Sequence, residues 1–284
     1  MRKQQQKMGK RLLLALTAIF LCLYTFVPLL WTFRISVISK EELLKSPPQW
    51  LPDELTADSY RQILGLGEGS SLTAQNFFEA FLNSMITCLI ATVIICIIAI
   101  FAGYVFARWQ FRGRNVLFAT LLITMVLPAY SVMLPLYRLM TAMQLIDTKL
   151  GVILIYVSAF MPLAIWIMRS FFLSIPQEIE EAAWLDGASR WRGLKLILPL
   201  TLPGLVAAAI ITFLSTWSQY IIPLVFTSSD ARPLTVFLTT LISKTSIDYG
   251  VMAAGGLLSI LPPLLIVICF NRFLMQGLTK GAVK

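Results

Sequence analysis

Six uninterrupted apolar runs, each long enough to cross a lipid bilayer, narrow the possible folds of this chain more than any other feature. A membrane helix needs about 20 mostly apolar residues, and such runs occupy 12–33, 84–107, 116–139, 150–171, 203–226 and 250–274. They are continuous rather than alternating, which excludes the pattern of a lipid-facing β-barrel. In hydrocarbon every backbone N–H and C=O needs an internal partner, so runs of this kind fold as helices. The expected class is all-α, a polytopic membrane protein with six transmembrane helices. Pro128, Pro135 and Pro162 fall inside the third and fourth runs, where neighbouring helices can accommodate kinks. With 58% hydrophobic and 13% charged residues, a soluble fold could not cover its own surface with polar groups.

Charge orients the spans. With the N-terminus in the cytoplasm, the inner segments hold fifteen of the 23 basic but four of the 14 acidic residues, a net of +11 inside against −2 outside. This is the positive-inside asymmetry, and with six spans it places both termini in the cytoplasm. The overall charge of +9 is thus accounted for by a lipid bilayer as partner, and nucleic acid is not called for. The opening MRKQQQKMGKR precedes an apolar run too long for a signal peptide and without a small-residue cleavage site, so residues 1–11 form a cytoplasmic segment ahead of an uncleaved first span. Residues 39–82, with Pro47, Pro48, Pro52, Gly65, Gly67 and Gly69, form the long outer loop, with room for one short helix. Asn83 and Ser84 read as caps where the second span starts.

No catalytic or metal-ligating constellation emerges. Histidine is absent, which removes the commonest metal ligand and the side chain that titrates near neutrality. Cys22, Cys88, Cys96 and Cys269 lie within apolar runs, without the spacing of a zinc or redox motif, and read as small buried hydrophobes. No GxxxxGK[ST] phosphate loop occurs, Gly277 to Gly281 included, so no nucleotide cofactor is expected on this chain.

The most informative stretch lies between the fourth and fifth spans, residues 172–200. Ser174 can cap a helix, with Gln177 reaching back three residues later, Pro176 suits the first turn, and Glu178, Glu180 and Glu181 complement the positive end of the dipole. Ile179, Ala182, Ala183 and Leu185 recur near helical spacing, Gly187 permits a left-handed turn, and Trp191, Leu194, Ile197 and Leu198 begin a second stripe. A helix of two or three turns is marginal alone in water, so it needs something to pack against. A cytoplasmic protein suits it better than lipid headgroups, which would favour cations where this helix is acidic.

Polar groups within the bilayer mark a candidate pathway. The fifth span is richest in them, and its Ser215, Trp217, Gln219 and Tyr220 join aromatic faces to hydrogen-bonding groups in the way that sugar rings require. Interfacial anchoring and helix gluing are the alternative roles for such residues. Ala253, Ala254, Gly255 and Gly256 in the last span read as close packing against another membrane helix.

The segment Glu181-Ala182-Ala183, then Gly187, then Ile197, Leu198 and Pro199 resembles the cytoplasmic signature of ABC importer permeases, with Leu-Pro displaced by one position. EEAAWLDGASRW, Trp217-Ser218-Gln219-Tyr220 with Pro223, and the ending Gly277-Leu278-Thr279-Lys280-Gly281-Ala282-Val283-Lys284 are similar to the carbohydrate-uptake branch, especially its smaller maltose-type permeases. The resemblance implies that residues 12–284 form an ABC permease domain in a bacterial inner membrane. It further implies a second permease subunit, two cytoplasmic ATPase subunits carrying ATP and magnesium, and an extracytoplasmic solute-binding protein. It makes Glu181, Ala182, Ala183, Asp186, Gly187 and Ala188 a coupling helix seated in the ATPase. The implied cargo is a sugar or oligosaccharide; a polyol or glycerol phosphate is the alternative, and a secondary transporter would need the intramembrane acids or internal repeats that this sequence does not display.

Overall fold

A computed structural model describes residues 2–43, 45, 52, 54–66, 71–242 and 248–282. Among them the regular elements are helical: α1 (Arg2–Ser36), α2 (Lys40–Leu43), α3 (Asp58–Leu64), α4 (Ser71–Arg108), α5 (Arg114–Ile123), α6 (Ala129–Ala142), α7 (Lys149–Leu173), α8 (Glu178–Leu185), α9 (Arg190–Ile197), α10 (Leu202–Trp217), α11 (Ile221–Phe226), α12 (Leu234–Thr240) and α13 (Tyr249–Ala282). The chain forms two compact units, one of residues 1–77 with 238–259 and one of 78–237 with 260–284.

Among the described residues, five helical stretches are long and apolar enough to cross a membrane: Lys10–Ser36, Leu72–Arg108, Lys149–Leu173, Arg190–Trp217 and Tyr249–Phe270. No single helix covers the expected third run, 116–139. It is divided between α5 and α6, and Pro128, with φ −60° and ψ 118°, stands extended at the break. Proline supplies no N–H and pushes the residue before it out of the helical region, so the run is broken there rather than kinked. Pro162, by contrast, is held inside a continuous α7.

The outer-loop expectation also changes at its end. α4 starts at Ser71 and runs for 38 residues, about 57 Å at 1.5 Å per residue, well beyond the ~30 Å hydrocarbon thickness. Asn83 and Ser84 therefore lie inside α4 and do not cap it. Asn83 Nδ2 donates to the carbonyls of Asp230 (3.0 Å) and Arg232 (3.1 Å), and Ser84 Oγ accepts from the Leu234 N–H at 2.8 Å. Their polarity stitches the 230–234 loop to a helix face, leaving three buried polar groups satisfied. Within 39–82, α2 and α3 are two short helices where one was expected; residues 44, 46–51, 53 and 67–70 lie outside the described ones.

In the larger unit, the core joins Ile95, Ala99 and Phe106 of α4 to Ile165, Met168 and Phe172 of α7, Leu194 and Ile197 of α9, and Ala208 of α10. Two glycines set how closely these helices approach. A Cβ on Gly103 would stand 2.8 Å from Met168 Cβ, and one on Gly204 would overlap the Phe171 ring. In the smaller unit a Cβ on Gly255 would meet Leu238 Cδ2 at 2.6 Å and Ile63 Cδ1 at 2.7 Å. The Ala253–Gly256 cluster thus packs in part within its own chain, because its small side chains admit Leu238 and Ile63. Of the cysteines, Cys88 is buried but Cys22 and Cys269 are exposed, on helix surfaces that lipid can cover.

α7 begins on an anchored loop. Thr148 caps it by accepting from the Gly151 N–H at 3.0 Å, and Asp147, at φ 55°, sits in the left-handed region that Asp tolerates better than most side chains. Its carboxylate accepts from the N–H groups of Ser228, Ser229 and Ala231 and from both serine hydroxyls. Partial burial would raise the Asp147 carboxyl, but these donors outweigh it and hold the group well below the usual carboxylate range. A depressed folded-state pKa stabilises above the unfolded value, about 3.9, and the contribution is lost only as pH falls through the folded one. The latch is expected to be constant from neutral pH down to about pH 4. Asp147→Ala should cost about 2 kcal/mol, since several charge-assisted hydrogen bonds are lost at a partly exposed site; thermal melting of the detergent-solubilised protein at pH 7 checks this.

Candidate functional site

The 172–200 segment folds as a short helix, a turn and a second helix. α7 runs to Leu173, and Ser174 serves as its C-cap, its hydroxyl donating to the Phe171 carbonyl at 2.7 Å. Ser174 therefore does not cap the following helix; Gln177 stands at that N-cap without a side-chain bond, and its carbonyl receives the N–H groups of Glu180 and Glu181. The three glutamates occupy the first turn of α8, where the macrodipole favours negative charge.

The end of α8 is built by Gly187. At φ 82° it is the left-handed residue of a Schellman motif: Ala188 N–H bonds the Ala183 carbonyl at 2.9 Å and Gly187 N–H bonds Trp184 O at 3.0 Å. Nothing lies within 4 Å of a Cβ built on Gly187, so its requirement is one of backbone conformation rather than space. The turn then delivers Ser189 in an extended conformation and α9 begins at Arg190.

Burial inverts the simple amphipathic reading. Glu180 is 1% exposed while Leu185 is 90% exposed. The Glu180 carboxylate is held by α4: Tyr104 Oη donates to Oε2 at 2.8 Å and Arg108 Nε donates to Oε1. Arg108 also donates through Nη2 to the Ile175 carbonyl at 2.9 Å. Beside this cluster the Arg190 guanidinium lies over the Trp109 ring, 5.3 Å from its centroid, and 6.0 Å from that of Trp184, within cation–π range. The opposite side of α8 is left open. Glu181, Ala182, Leu185, Asp186 and Gly187 are exposed there, and Ala183 and Ala188 are half-buried.

Glu180, Tyr104 and Arg108 are the residues that sequence reasoning missed. By sequence alone, Glu180 is one of three equivalent charges that complement the helix dipole. The signal available was Arg108, a cation ending a 24-residue apolar run, which needs a counter-charge if its surroundings are dry.

The pathway candidates separate. Trp217, 8% exposed, stacks on Phe213 with centroids 5.6 Å apart and meets the edge of Phe81 at 6.0 Å. Ser215, Gln219 and Tyr220 are half-buried. α10 ends at Trp217 and α11 begins at Ile221, so the polar stretch coincides with a break. The cause lies at Pro223: in a continuous helix its missing N–H would orphan the Gln219 carbonyl. Thr235 Oγ1 donates to that carbonyl at 2.7 Å instead. Broken helices inside a membrane are tolerated where they are enclosed by protein or line a cavity. Nearby, a cleft of about 410 Å³ lies between the α5–α6 break, α7 and α11, lined by Met125, Leu127, Ile155, Ser158, Ile222 and Phe226. Its walls are mostly apolar and suit a partner helix or an acyl chain better than hydroxyls. Among the described residues no group of three or more His, Cys, Asp or Glu is placed to hold a metal ion.

The chain is similar to known proteins. The family model described as "Binding-protein-dependent transport system inner membrane component" matches residues 96–280. The trehalose transport system permease SugB of Mycobacterium tuberculosis is 34% identical over 265 residues, covering 92% of this chain and 93% of that protein. The diacetylchitobiose uptake system permease NgcG of Streptomyces coelicolor is 31% identical, covering 91% and 84%. A chain from the crystal structure of a bacterial ABC transporter that imports the acidic polysaccharide alginate shares the fold, with a TM-score of 0.77 at 24% identity over 94% of this chain and 96% of that one.

Proposed function

The chain belongs to the inner membrane components of binding-protein-dependent transport systems, and on that footing we propose that it forms the path by which an ATP-driven importer takes up a sugar or oligosaccharide. It is a transport subunit and not a catalyst. Both curated relatives named above are permeases for disaccharides or their derivatives, which supports a carbohydrate cargo. A second permease completes the path, two cytoplasmic ATPase subunits supply the energy with bound ATP and magnesium, and an extracytoplasmic binding protein delivers the solute. α5 and α6 together make the third of six crossings, as a broken span, and both termini lie in the cytoplasm. Residues 1–11 are then the cytoplasmic N-terminal segment and 12–284 the permease domain.

The observation that carries this reading is α8. It is about 12 Å long, anchored on one side by a buried glutamate and open on the other at Ala182, Leu185 and Asp186. A helix this short is marginal by itself in water, so its open side is suited to packing against a second protein. Glu181, Ala182, Ala183, Asp186, Gly187 and Ala188 form the coupling helix gripped by the ATPase. At the break in the fifth span, Gln219, Tyr220 and Ser215 face the cargo, and Trp217 fixes the break by stacking on Phe213.

Purification of the tagged chain in mild detergent should bring down a second permease and an ATPase. Uptake of the co-purified solute should then require ATP. In the same assay Gln219→Ala is expected to raise KM for the solute several-fold with the ATPase still bound. Isolation of a chain that moves solute without an ATP-consuming companion would overturn the proposal.

A further inference from the structure

The coupling role leaves open how an 8-residue helix moves a span. A surface helix that yields under load would bend its own linkers instead of moving the membrane helices. α8 is joined to α7 through Ser174–Gln177 and to α9 through Asp186–Ser189, and neither joint is regular helix. What joins α8 rigidly to another span is the cluster inside it: Glu180, Tyr104 and Arg108 are all buried or nearly so, with the two α4 side chains one helical turn apart.

From this geometry, and resting on the coupling role proposed above, we infer that Tyr104, Arg108 and Glu180 form a pin that makes α8 and the end of α4 one lever. ATPase closure thereby displaces the second span directly. The three are positioning residues; none touches the cargo or the nucleotide.

Two features separate a pin from an ordinary surface ion pair. First, the carboxylate is held at both oxygens, Oε2 by Tyr104 and Oε1 by Arg108, so Glu180 cannot pivot about one bond. Second, Arg108 donates simultaneously to Ile175 O, at the entry to α8, so the same guanidinium fixes the helix and the linker before it. Planar, forked donors give this geometric control where an ammonium would act as a point charge. Gly193 lets α9 close over the cluster: a Cβ there would sit 3.1 Å from Trp184 Nε1 and 3.9 Å from Glu180 Oε2.

The test uses the whole reconstituted complex, with binding protein and solute. Glu180→Gln/Arg108→Met removes both charges together, so that no unpaired charge is left buried; Tyr104→Phe removes one hydrogen bond and keeps the ring. For both, the ATPase should co-purify and hydrolyse ATP, while solute moved per ATP falls at least tenfold for the double variant and several-fold for Tyr104→Phe. Spin labels at Gln110 and Glu178, both exposed and outside the proposed ATPase-contact set, in a chain with its four cysteines replaced, report the pin itself. Their separation should stay constant through the nucleotide cycle in the native pair and vary with nucleotide in the double variant. Native solute-per-ATP in an assembled double variant would overturn the pin, as would a native label separation that changes with nucleotide. Failure of both variants to assemble would make the cluster a fold staple and overturn it equally. Failure of the underlying coupling role is separately visible, because Gly187 variants would then transport normally.

Discussion

Replacing Gly187 with valine should leave the protein in the membrane and bound to its ATPase, with ATP hydrolysis continuing and solute uptake falling at least tenfold. The expectation follows from backbone geometry. Gly187 holds φ at 82°, where a β-branched residue is strained by about 1–2 kcal/mol, and no neighbour within 4 Å of its Cβ position adds a clash. That cost is too small to unfold the chain but is concentrated in the Schellman turn that aims α9 and ends the exposed face of α8. Relief of the strain rotates Ala188 and Ser189 and loosens how α8 is held against α9, so that the motion of a bound ATPase would no longer reach the spans. Asparagine tolerates the left-handed region, so Gly187→Asn should retain much more uptake than Gly187→Val. Equal uptake by the two variants would show that the turn conformation has no part in coupling.

Gly103→Leu should act at the opposite level, on folding. The Cβ alone would stand 2.8 Å from Met168 Cβ and 3.0 Å from the Arg169 backbone nitrogen; backbone cannot swing aside as a flexible side-chain tip can. α4 and α7 would have to separate in the middle of the Ile95–Met168–Phe172 core, forfeiting contacts across a tightly packed crossing. A cost of about 3 kcal/mol is expected from overpacking of this kind, seen as a large drop in the melting temperature of the solubilised protein and in membrane yield. An unchanged melting temperature would mean that α4 and α7 do not cross closely at this residue.

Particular residues show how far the sequence alone could go. Five of the six expected spans are legible because hydrophobicity and length act locally, and the α8–turn–α9 unit is legible because acids in a first turn and a glycine after the last are local signals. Pro128 announced a disturbance, but whether it kinks or breaks a span depends on what surrounds it. The 71–82 stretch failed for a related reason: SLTAQNFFEAFL is too polar for a span yet continues α4, since a helix already nucleated extends cheaply. Glu180 was the substantive miss. Three glutamates lie within four residues, and only the position of α4, 72 residues away in sequence, determines which one is buried. Trp217 packs on Phe81 and Phe213, contacts that come from a distant part of α4 and from the preceding turn of α10 and that its own residue type does not announce.

α8 is the proposed handle by which a separate ATPase works this chain. A photo-crosslinking amino acid at position 185, where the native leucine is 90% exposed, tests it in intact cells. Illumination should yield one covalent adduct with the ATP-hydrolysing subunit, lost when that subunit is deleted. An adduct with the solute-binding protein instead, or labelling of position 185 by a reagent unable to cross the membrane, would contradict it.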